Sequence, residues 1–424
     1  METYGRILLI ATPSFLLLVL FEKWYGWRKG MDTVRNNDMI SSLSSGMTNA
    51  TKDVLGLSFA IISYSWLVDK LALTHVGSGW AAYAIAFIAL DFSGYWVHRI
   101  AHEYNLFWNN HIIHHSSEEY NLACALRQSI STYFRIFTFF LIPAALFGVP
   151  EMVVAIVAPL HLFAQFWYHT RHIEKMGFLE KIIVTPSHHR VHHAINPIYL
   201  DKNYSQIFIF WDKLFGTYQE ELADVPPVYG VTRPVRTWNP IKINFMHFWL
   251  LVKDAWRAKN ISDKFKIWFK PLGWRPADVA ERYPVYKISD VYNFQKYNPQ
   301  LSQGLLIWTW FQMLMGLLCV SYLFYNIAAI GSPNIFIYGG FVVLSIYAYT
   351  DLLDRNFYAF VWEGIRCAYG IFVIYYLGDW FGLSKSLMLA NQLLIAYFVI
   401  SMSTTVWFAL KHRQEDKLVN AIVK

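Results

Sequence analysis

The sequence contains few cysteines and few charged residues, and both shortages exclude whole classes of protein. Its three cysteines, Cys124, Cys319 and Cys367, lie far apart among 424 residues, so they form neither a metal-binding spacing nor an even disulfide set. Only 15% of the residues are charged and 55% are apolar, whereas soluble domains contain about a quarter charged residues. The composition therefore argues against a soluble globular protein.

Motifs for several common activities are also missing. The chain has no glycine-rich phosphate loop, no Ser-His-Asp arrangement and no internal repeat, which argues against nucleotide hydrolases and serine hydrolases. The net charge of +7 is compatible with nucleic-acid binding, but in a membrane protein it is more typical of basic loops that face anionic lipid. We therefore expect a membrane setting and no nucleic-acid partner.

Long apolar runs take the place of the missing charge. A helix needs about 20 apolar residues to cross a bilayer. Nine segments meet or approach that length, at 8–21, 54–73, 79–97, 130–148, 150–168, 305–330, 334–350, 357–377 and 387–410. The sequence predicts an all-α integral membrane protein with about nine transmembrane helices, although 130–148 and 150–168 are also compatible with a re-entrant hairpin.

The basic residues predict the orientation of these spans. Lys and Arg are concentrated in the loop after the first span, after the fifth span and in the tail around Lys411 and Arg413. Because basic loops stay on the cytoplasmic side, we expect a cytoplasmic C-terminus. The same reasoning places the histidine motifs described below in the cytoplasm, at the inner membrane of a bacterium or the endoplasmic reticulum of a eukaryote.

The runs and the polar stretch between them divide the chain into four parts. We expect N-terminal spans, a catalytic domain, an interfacial segment and C-terminal spans at 1–78, 79–220, 221–302 and 303–424. Within the third part, residues 241–270 interleave tryptophans with lysines and arginines. This pattern is typical of an amphipathic helix on a membrane surface. A packed cap over the candidate metal site described below explains it equally well, and the two explanations are compatible.

Histidines are concentrated in two short windows of the catalytic domain. Residues 98–115 and 188–193 contain nine of the fifteen histidines, where even scatter would place about one. The spacings are His98-x3-His102, His111-x2-His114-His115 and His188-His189-x2-His192-His193. Positions three or four apart share a helix face, so each motif presents convergent imidazoles. The pairs His98/His102, His111/His115 and His189/His193, with His114 and His192 as partners three residues away, offer eight ligands. Because a structural zinc uses four, the pattern predicts two metal ions.

Two further residues are candidates beside the motifs. His169 lies 20 residues before His189 and is a candidate ninth ligand. Asp91 falls on the same helix face as His98, where its carboxylate is a candidate hydrogen-bond acceptor that orients the imidazole. Packing between helices is an equally good explanation for Asp91.

Imidazole ligands limit the metal but do not define it. They suit zinc, copper, iron and nickel, and the motifs contain almost no carboxylates. Two irons at the membrane surface would suit insertion of oxygen from O2 into a lipid C–H bond, whereas two zinc ions would suit hydrolysis. A metal transporter or sensor is a third possibility, but its ligands would be expected near the bilayer midplane rather than at the ends of spans.

The three histidine motifs together resemble those of the fatty acid hydroxylase/sterol desaturase superfamily of membrane di-iron oxygenases. Within it, the segments "HRIAHEYNLFWNNHIIHHSSEEYNLACALRQS" (98–129), "QFWYHT" (165–170) and "TPSHHRVHHAINPIYLDKNYSQIFIFWDKLFGTYQEE" (185–221) are similar to the alkylglycerol monooxygenase family and its bacterial relatives. The later "YGVTRPVRTWNP" (229–240) also fits that family. The resemblance covers about residues 80–220.

The resemblance implies a specific activity. The family hydroxylates the ether-bearing carbon of alkylglycerols with O2 and a tetrahydropterin, and the product collapses to a fatty aldehyde and a glycerol. Carried over residue by residue, the iron ligands would be His98, His102, His111, His114, His115, His189, His192 and His193, with His169 and His188 near them. Glu103 also matches the family pattern and is a candidate catalytic residue. A sterol, carotenoid or fatty-acyl hydroxylase or desaturase with a ferredoxin or cytochrome donor is the alternative within the superfamily. The sequence itself identifies neither the electron donor nor the oligomeric state.

Overall fold

The computed structural model describes residues 2–132 and 134–422 and is almost entirely helical. Its α-helices in chain order are α1 Glu2–Lys29, α2 Asn36–Val54, α3 Tyr64–Leu71, α4 Trp80–Glu103, α5 Asn105–Trp108, α6 Ile112–His115, α7 Ile142–Leu146, α8 Glu151–Phe163, α9 Pro186–His192, α10 Phe210–Leu214, α11 Pro240–Arg257, α12 Ile261–Phe269, α13 Ala277–Arg282, α14 Gln303–Ile330, α15 Asn334–Leu353, α16 Ala359–Leu377 and α17 Ala390–Ile422. Short 3-10 helices lie at Cys124–Leu126, Phe137–Leu141, Gly177–Lys181 and Leu383–Lys385. Two two-residue strands, β1 Phe59–Ala60 and β2 Phe134–Arg135, pair in parallel.

Six helices in the described part of the chain, rather than the predicted nine, are long and apolar enough to cross a membrane. They are α1, α4, α14, α15, α16 and α17. The predicted spans 54–73, 130–148 and 150–168 form no such helix. The longest helix among them, α8, has 13 residues, about 20 Å at 1.5 Å per residue, while the apolar core of a bilayer is about 30 Å thick.

Helix-breaking residues and a short pair of strands explain why these three runs do not form long helices. Pro150 precedes α8, and Gly148 between α7 and α8 adopts a left-handed φ of 60°, which makes the sharp turn of a hairpin. The 54–73 and 130–148 runs also contribute β1 and β2, whose pairing needs extended backbone. The apolar content of these runs was read correctly, but their continuity was not.

Helix α2 lies along the helical bundle although its sequence is too polar to be recognised as a span. Its Ser44 hydroxyl is 2.6 Å from the Tyr349 hydroxyl near the end of α15. At the other end of α2, the Thr51 and Leu55 side chains lie against Gly339 near the start of α15. The serines and threonines of α2 are buried by neighbouring helices, so hydropathy alone does not detect this helix.

Helices α11 and α12 pack against the short helices that follow α4 and keep an exposed aromatic surface. Helix α11 contacts α5 and α6, and its His247 imidazole lies 3.1 Å from the Asn105 carbonyl oxygen. On the outer side of α11, Trp249 and Trp256 are exposed. The contacts fit the predicted cap, and the exposed rings fit the predicted amphipathic helix.

Candidate metal centre

Four chain segments bring the histidines to one place. The C-terminal end of α4 carries His98 and His102, and the chain then folds back through the short helices α5 and α6. Helix α9 contributes a third set of histidines, and His169 follows α8 directly. The ends of these helices meet, so residues far apart in sequence share one buried volume.

The first group of ligand candidates, histidine group 1, consists of His98, His102, His111, His115 and His192, with one ring nitrogen of each within 4.8 Å of the others. His115 is central to it. The Nε2 atom of His115 lies 3.2 Å from that of His102 and 3.0 Å from that of His192. His98 and His111 approach through their Nε2 atoms at 2.9 Å.

The second group, histidine group 2, consists of His114, His169, His189 and His193, again with one ring nitrogen of each within 4.8 Å of the others. The His189 Nε2 atom lies 3.0 Å from that of His169 and 3.1 Å from that of His193. The groups are adjacent, since the His115 and His193 rings stack with centroids 4.3 Å apart. The structure thus brings nine of the ten predicted ligands together as two neighbouring sets.

Hydrogen bonds made by the Nδ1 atoms determine which histidine Nε2 atoms have a lone pair free to bind a metal ion. His114 and His169 each point Nδ1 at a backbone carbonyl, at 3.3 and 3.0 Å. A carbonyl only accepts, so each Nδ1 must carry the proton and each Nε2 of the neutral ring must carry a lone pair. These two Nε2 atoms face each other at 3.4 Å. Facing lone pairs repel unless a cation lies between them, so the residues present fit a bound metal ion.

Burial keeps the imidazoles in the neutral form that metals require. Burial, followed by the neighbouring imidazoles, lowers the pKa of five of these histidines well below its ordinary value, namely His114, His115, His189, His192 and His193. Burial also lowers the pKa of His169 to about 4. Within the described residues, neither group contains a carboxylate, so these ligands would leave the charge of bound ions undiminished.

A loop at residues 201–204, which the sequence did not single out, orients the ligands of histidine group 1. The Lys202 carbonyl accepts from His192 Nδ1 at 2.9 Å, and the Tyr204 carbonyl accepts from His98 Nδ1 at 2.7 Å. The Asp201 carboxylate lies 3.7 Å from His102 Nδ1. Partners of this kind fix the tautomer and direction of a metal-binding imidazole. Asp201 adopts a left-handed φ of 58°, an uncommon conformation that occurs at functional sites.

Asp91 does not accept a hydrogen bond from His98, which was its predicted partner, and contacts other groups instead. Its buried carboxylate accepts from the Ile207 and Phe208 backbone N–H groups at 2.8 and 3.0 Å and from Trp211 Nε1 at 2.9 Å, and it lies 3.0 Å from His161 Nε2. The acceptor for His98 is instead a backbone carbonyl of the 201–204 loop. Asp91 therefore holds the chain that follows that loop and does not orient His98 directly.

Glu103 and His188 lie outside both histidine groups. Glu103 is partly exposed and pairs with Arg99 one turn earlier on α4, at 2.7 Å. His188 caps the start of α9, where its Nδ1 accepts from the Thr185 N–H at 3.3 Å. The arrangement is the capping box of a helix N-terminus, a function that the sequence analysis did not assign to His188.

A partly open cavity of about 650 Å³ reaches both histidine groups. Five histidines line it, namely His98, His111, His114, His169 and His189. Apolar side chains from α1, α2, α8 and α14 form much of the remaining wall. Polar side chains, including Gln165 and Gln206, lie on the wall near the histidines. The cavity has the size and lining of a site for a ligand with an apolar chain.

Helices long enough to cross a membrane surround two buried groups of histidines, which is the arrangement of a membrane protein with a histidine-rich metal site. Comparisons with known proteins identify its family. Residues 83–217 match the family model for fatty acid hydroxylase. The chain is 36% identical over 364 residues to the human protein named alkylglycerol monooxygenase, across 84% of this chain and 80% of that protein. It is 33% identical over 418 residues to alkylglycerol monooxygenase of Danio rerio, across 96% and 90% of the two chains.

A more distant relative is ornithine lipid hydroxylase OlsE of Rhizobium tropici, 28% identical over 152 residues, which cover 36% of this chain and 46% of that protein. No solved structure matches the chain. The chain belongs to the fatty acid hydroxylase family and, within it, to the branch of proteins named alkylglycerol monooxygenase. The resemblance inferred from the histidine motifs is thereby confirmed.

Proposed function

We propose that this protein is an O2-dependent monooxygenase that cleaves the ether bond of alkylglycerols. One oxygen atom of O2 enters the C–H bond of the ether-bearing carbon, and the other leaves as water with two electrons and two protons from a reduced donor. The resulting hemiacetal then breaks its C–O bond to give a fatty aldehyde and a glycerol. The observation that carries the proposal is the identity of 33–36% to proteins named for this activity over most of both chains.

The metal ions of this proposal are two ferrous ions, one in each histidine group. When bound, they supply the redox chemistry that activates O2. The protein's own contribution is to hold neutral imidazoles in fixed tautomers and directions through carbonyls such as those of Lys202 and Tyr204. The two-electron donor of the proposal is a tetrahydropterin, a choice that rests on the family resemblance.

The cavity supports a substrate with one long apolar chain. Its apolar wall from α1 and α14 suits an alkyl chain, and the Gln165 and Gln206 amides suit the hydroxyls of a glycerol beside the histidines. We propose that the glycerol end lies at the histidine groups on the cytoplasmic side while the alkyl chain extends between the helices. This arrangement places the ether carbon, rather than the chain terminus, beside the metals.

Membranes containing the protein should release fatty aldehyde from an alkylglycerol when O2 and a reduced tetrahydropterin are both supplied. The expected result follows from the stoichiometry, because one oxygen atom must be reduced to water. The measurement is aldehyde formed with the pterin, with a ferredoxin system and without donor. Turnover limited to acyl, sterol or carotenoid substrates with the ferredoxin system would reject ether cleavage while leaving the family assignment intact.

Filling the cavity away from the histidines should shorten the alkyl chain that the protein accepts. Ala11 lines the cavity one helical turn beyond Phe15, whose ring contacts Phe166 at 4.7 Å between centroids, close to His169. We expect Ala11→Trp to lower kcat/KM for a hexadecyl ether by about 10-fold or more and to leave an octyl ether nearly unaffected.

The matched control for that variant is the adjacent residue. Ile10→Trp adds a similar bulk on the same helix, but Ile10 is 73% exposed and does not line the cavity. We expect its chain-length profile to match the parent protein. Equal losses on both ether lengths in Ala11→Trp would show that the alkyl chain does not extend along α1.

A further inference from the structure

A second cleft, separate from the histidine cavity, has basic side chains at six of its twelve lining residues. It has a volume of about 610 Å³ and lies within the interfacial segment. Its cationic residues are Arg233, Arg236, Lys253, Arg257, Arg275 and Arg282. None of these residues lines the histidine cavity. A concave surface with this charge attracts anions strongly.

Only two of the six cations are neutralised by carboxylates. Arg275 forms a two-pronged pair with Asp254, at 2.5 and 3.0 Å, and Arg282 lies 3.3 Å from Asp278. Among the described residues, the other four basic side chains have no ion pair. Burial and the neighbouring Arg275 lower the pKa of Arg233, which reflects the density of positive charge. The cleft thus carries an excess of four positive charges over its own carboxylates.

Aromatic rings hold two of the unpaired guanidinium groups in place. Arg257 lies over the Tyr283 ring at 4.0 Å from its centroid, and Arg236 lies over the Tyr286 ring at 5.2 Å. Arg236 also has a left-handed φ of 47°, an uncommon conformation for a residue with a long side chain. Guanidinium groups that are already positioned lose less freedom when they bind a phosphate.

Exposed aromatic side chains adjoin the basic face on the same helix. Along α11, Lys253 and Arg257 line the cleft, and four-residue spacing places them on one side of the helix. Trp249 and Trp256 lie on the neighbouring side, and Trp256 is 84% exposed. Tryptophan is enriched at the interface between lipid and water, so this edge of the cleft is suited to the membrane surface.

We propose that the basic cleft binds the phosphate headgroup of an anionic phospholipid at the membrane surface. The arginines without an ion pair each offer two parallel N–H donors, which match the spacing of phosphate oxygens. The exposed tryptophans place the cleft at the depth of the lipid headgroups. The basic cleft and the histidine cavity have no lining residue in common. The headgroup site is therefore distinct from the site of the proposed oxidation and does not depend on that proposal.

The test uses the full-length protein in a neutral detergent and dioctanoyl phosphatidate as the probe, with bound lipid counted by native mass spectrometry. We expect phosphatidate to bind at least about 10-fold more tightly than dioctanoyl phosphatidylcholine, and Arg233→Gln and Arg257→Gln each to weaken phosphatidate binding at least about fivefold. The matched control is Lys259→Gln, which removes one exposed positive charge beside the cleft without altering its lining. We expect that control to bind within about twofold of the parent protein.

Three results would overturn the proposal. Unchanged phosphatidate binding in both arginine variants would place the lipid elsewhere. Binding of the phosphatidylcholine probe as tightly as phosphatidate would show that the net negative charge of the headgroup does not determine binding. Inorganic phosphate that binds as tightly as phosphatidate would identify a site for a free anion instead of a lipid. None of these measurements depends on turnover, so the outcome is separate from that of the alkylglycerol assay.

Discussion

Replacement of His115 by alanine is expected to remove bound iron and to lower aldehyde formation by more than about 100-fold. Loss of a residue that only orients a metal ligand costs up to about 100-fold in activity, and we expect loss of a ligand itself to cost more. His115 touches His102 and His192 through its Nε2 atom and stacks on His193 of the other group. The measurement is iron per chain by elemental analysis, together with aldehyde formed from an alkylglycerol.

The matched control is His188, which is as buried as His115 and adjoins His189 in sequence but belongs to neither histidine group. His188→Gln keeps a side-chain acceptor at the third position of α9, where glutamine also completes a capping box. We expect this variant to retain the metal content of the parent protein. Full iron content in His115→Ala, or loss of iron in His188→Gln equal to that in His115→Ala, would contradict the assignment of ligands from the two histidine groups.

Much of the candidate site could be predicted because helical spacing translates directly into side-chain direction. Histidines at i, i+3 and i+4 must share a face, so the pairing of His189 with His193 follows from sequence alone. His169 was found by its distance from the third motif. Spacing does not reveal the division into two groups, because His114 and His115 are adjacent in sequence but belong to different groups.

The orienting loop could not be predicted because its main contacts use backbone atoms. Every residue has a carbonyl, so nothing in the sequence marks Lys202 and Tyr204 as partners of the metal-binding histidines. The left-handed φ values of Asp201 and Asn203 were equally hidden, although Asp and Asn adopt that conformation more often than most residues. Asp91 was noticed as a buried carboxylate, but helix periodicity did not identify its partners.

The number of spans was overestimated because hydropathy measures the apolar content of a segment and does not detect the turns and strands that interrupt a helix. Pro150 and the left-handed Gly148 interrupt the apolar stretch before and at α8, and β1 pairs with β2 where a continuous helix was expected. The same method missed α2, whose buried Ser44 and Thr51 lower its apparent hydrophobicity. In a bundle of many helices, a helix surrounded by protein has no need of an apolar surface.

A buried ion pair connects this polar helix to histidine group 2. Asp38 in the first turn of α2 accepts from Arg127 Nη2 at 2.6 Å and from the Ser117 hydroxyl at 2.8 Å. Arg127 and Asp38 are each about 1% exposed. The Arg127 carbonyl in turn accepts from His114 Nδ1 at 3.3 Å. The pair therefore fixes both the position of α2 and the direction of a ligand in histidine group 2.

Asp38→Ala is accordingly expected to destabilise the protein by about 3–5 kcal/mol, since it leaves the Arg127 guanidinium buried without its anion. The expected readout is a fall in the thermal unfolding midpoint on the order of 10 °C, accompanied by loss of metal from the group that contains His114. The matched control is Glu220→Ala, which breaks the exposed ion pair with Lys175. An exposed pair contributes about 0–1 kcal/mol, so this control should melt within about 2–3 °C of the parent protein. If both variants melt at the same temperature as the parent protein, the Asp38–Arg127 pair does not hold α2 against the metal centre.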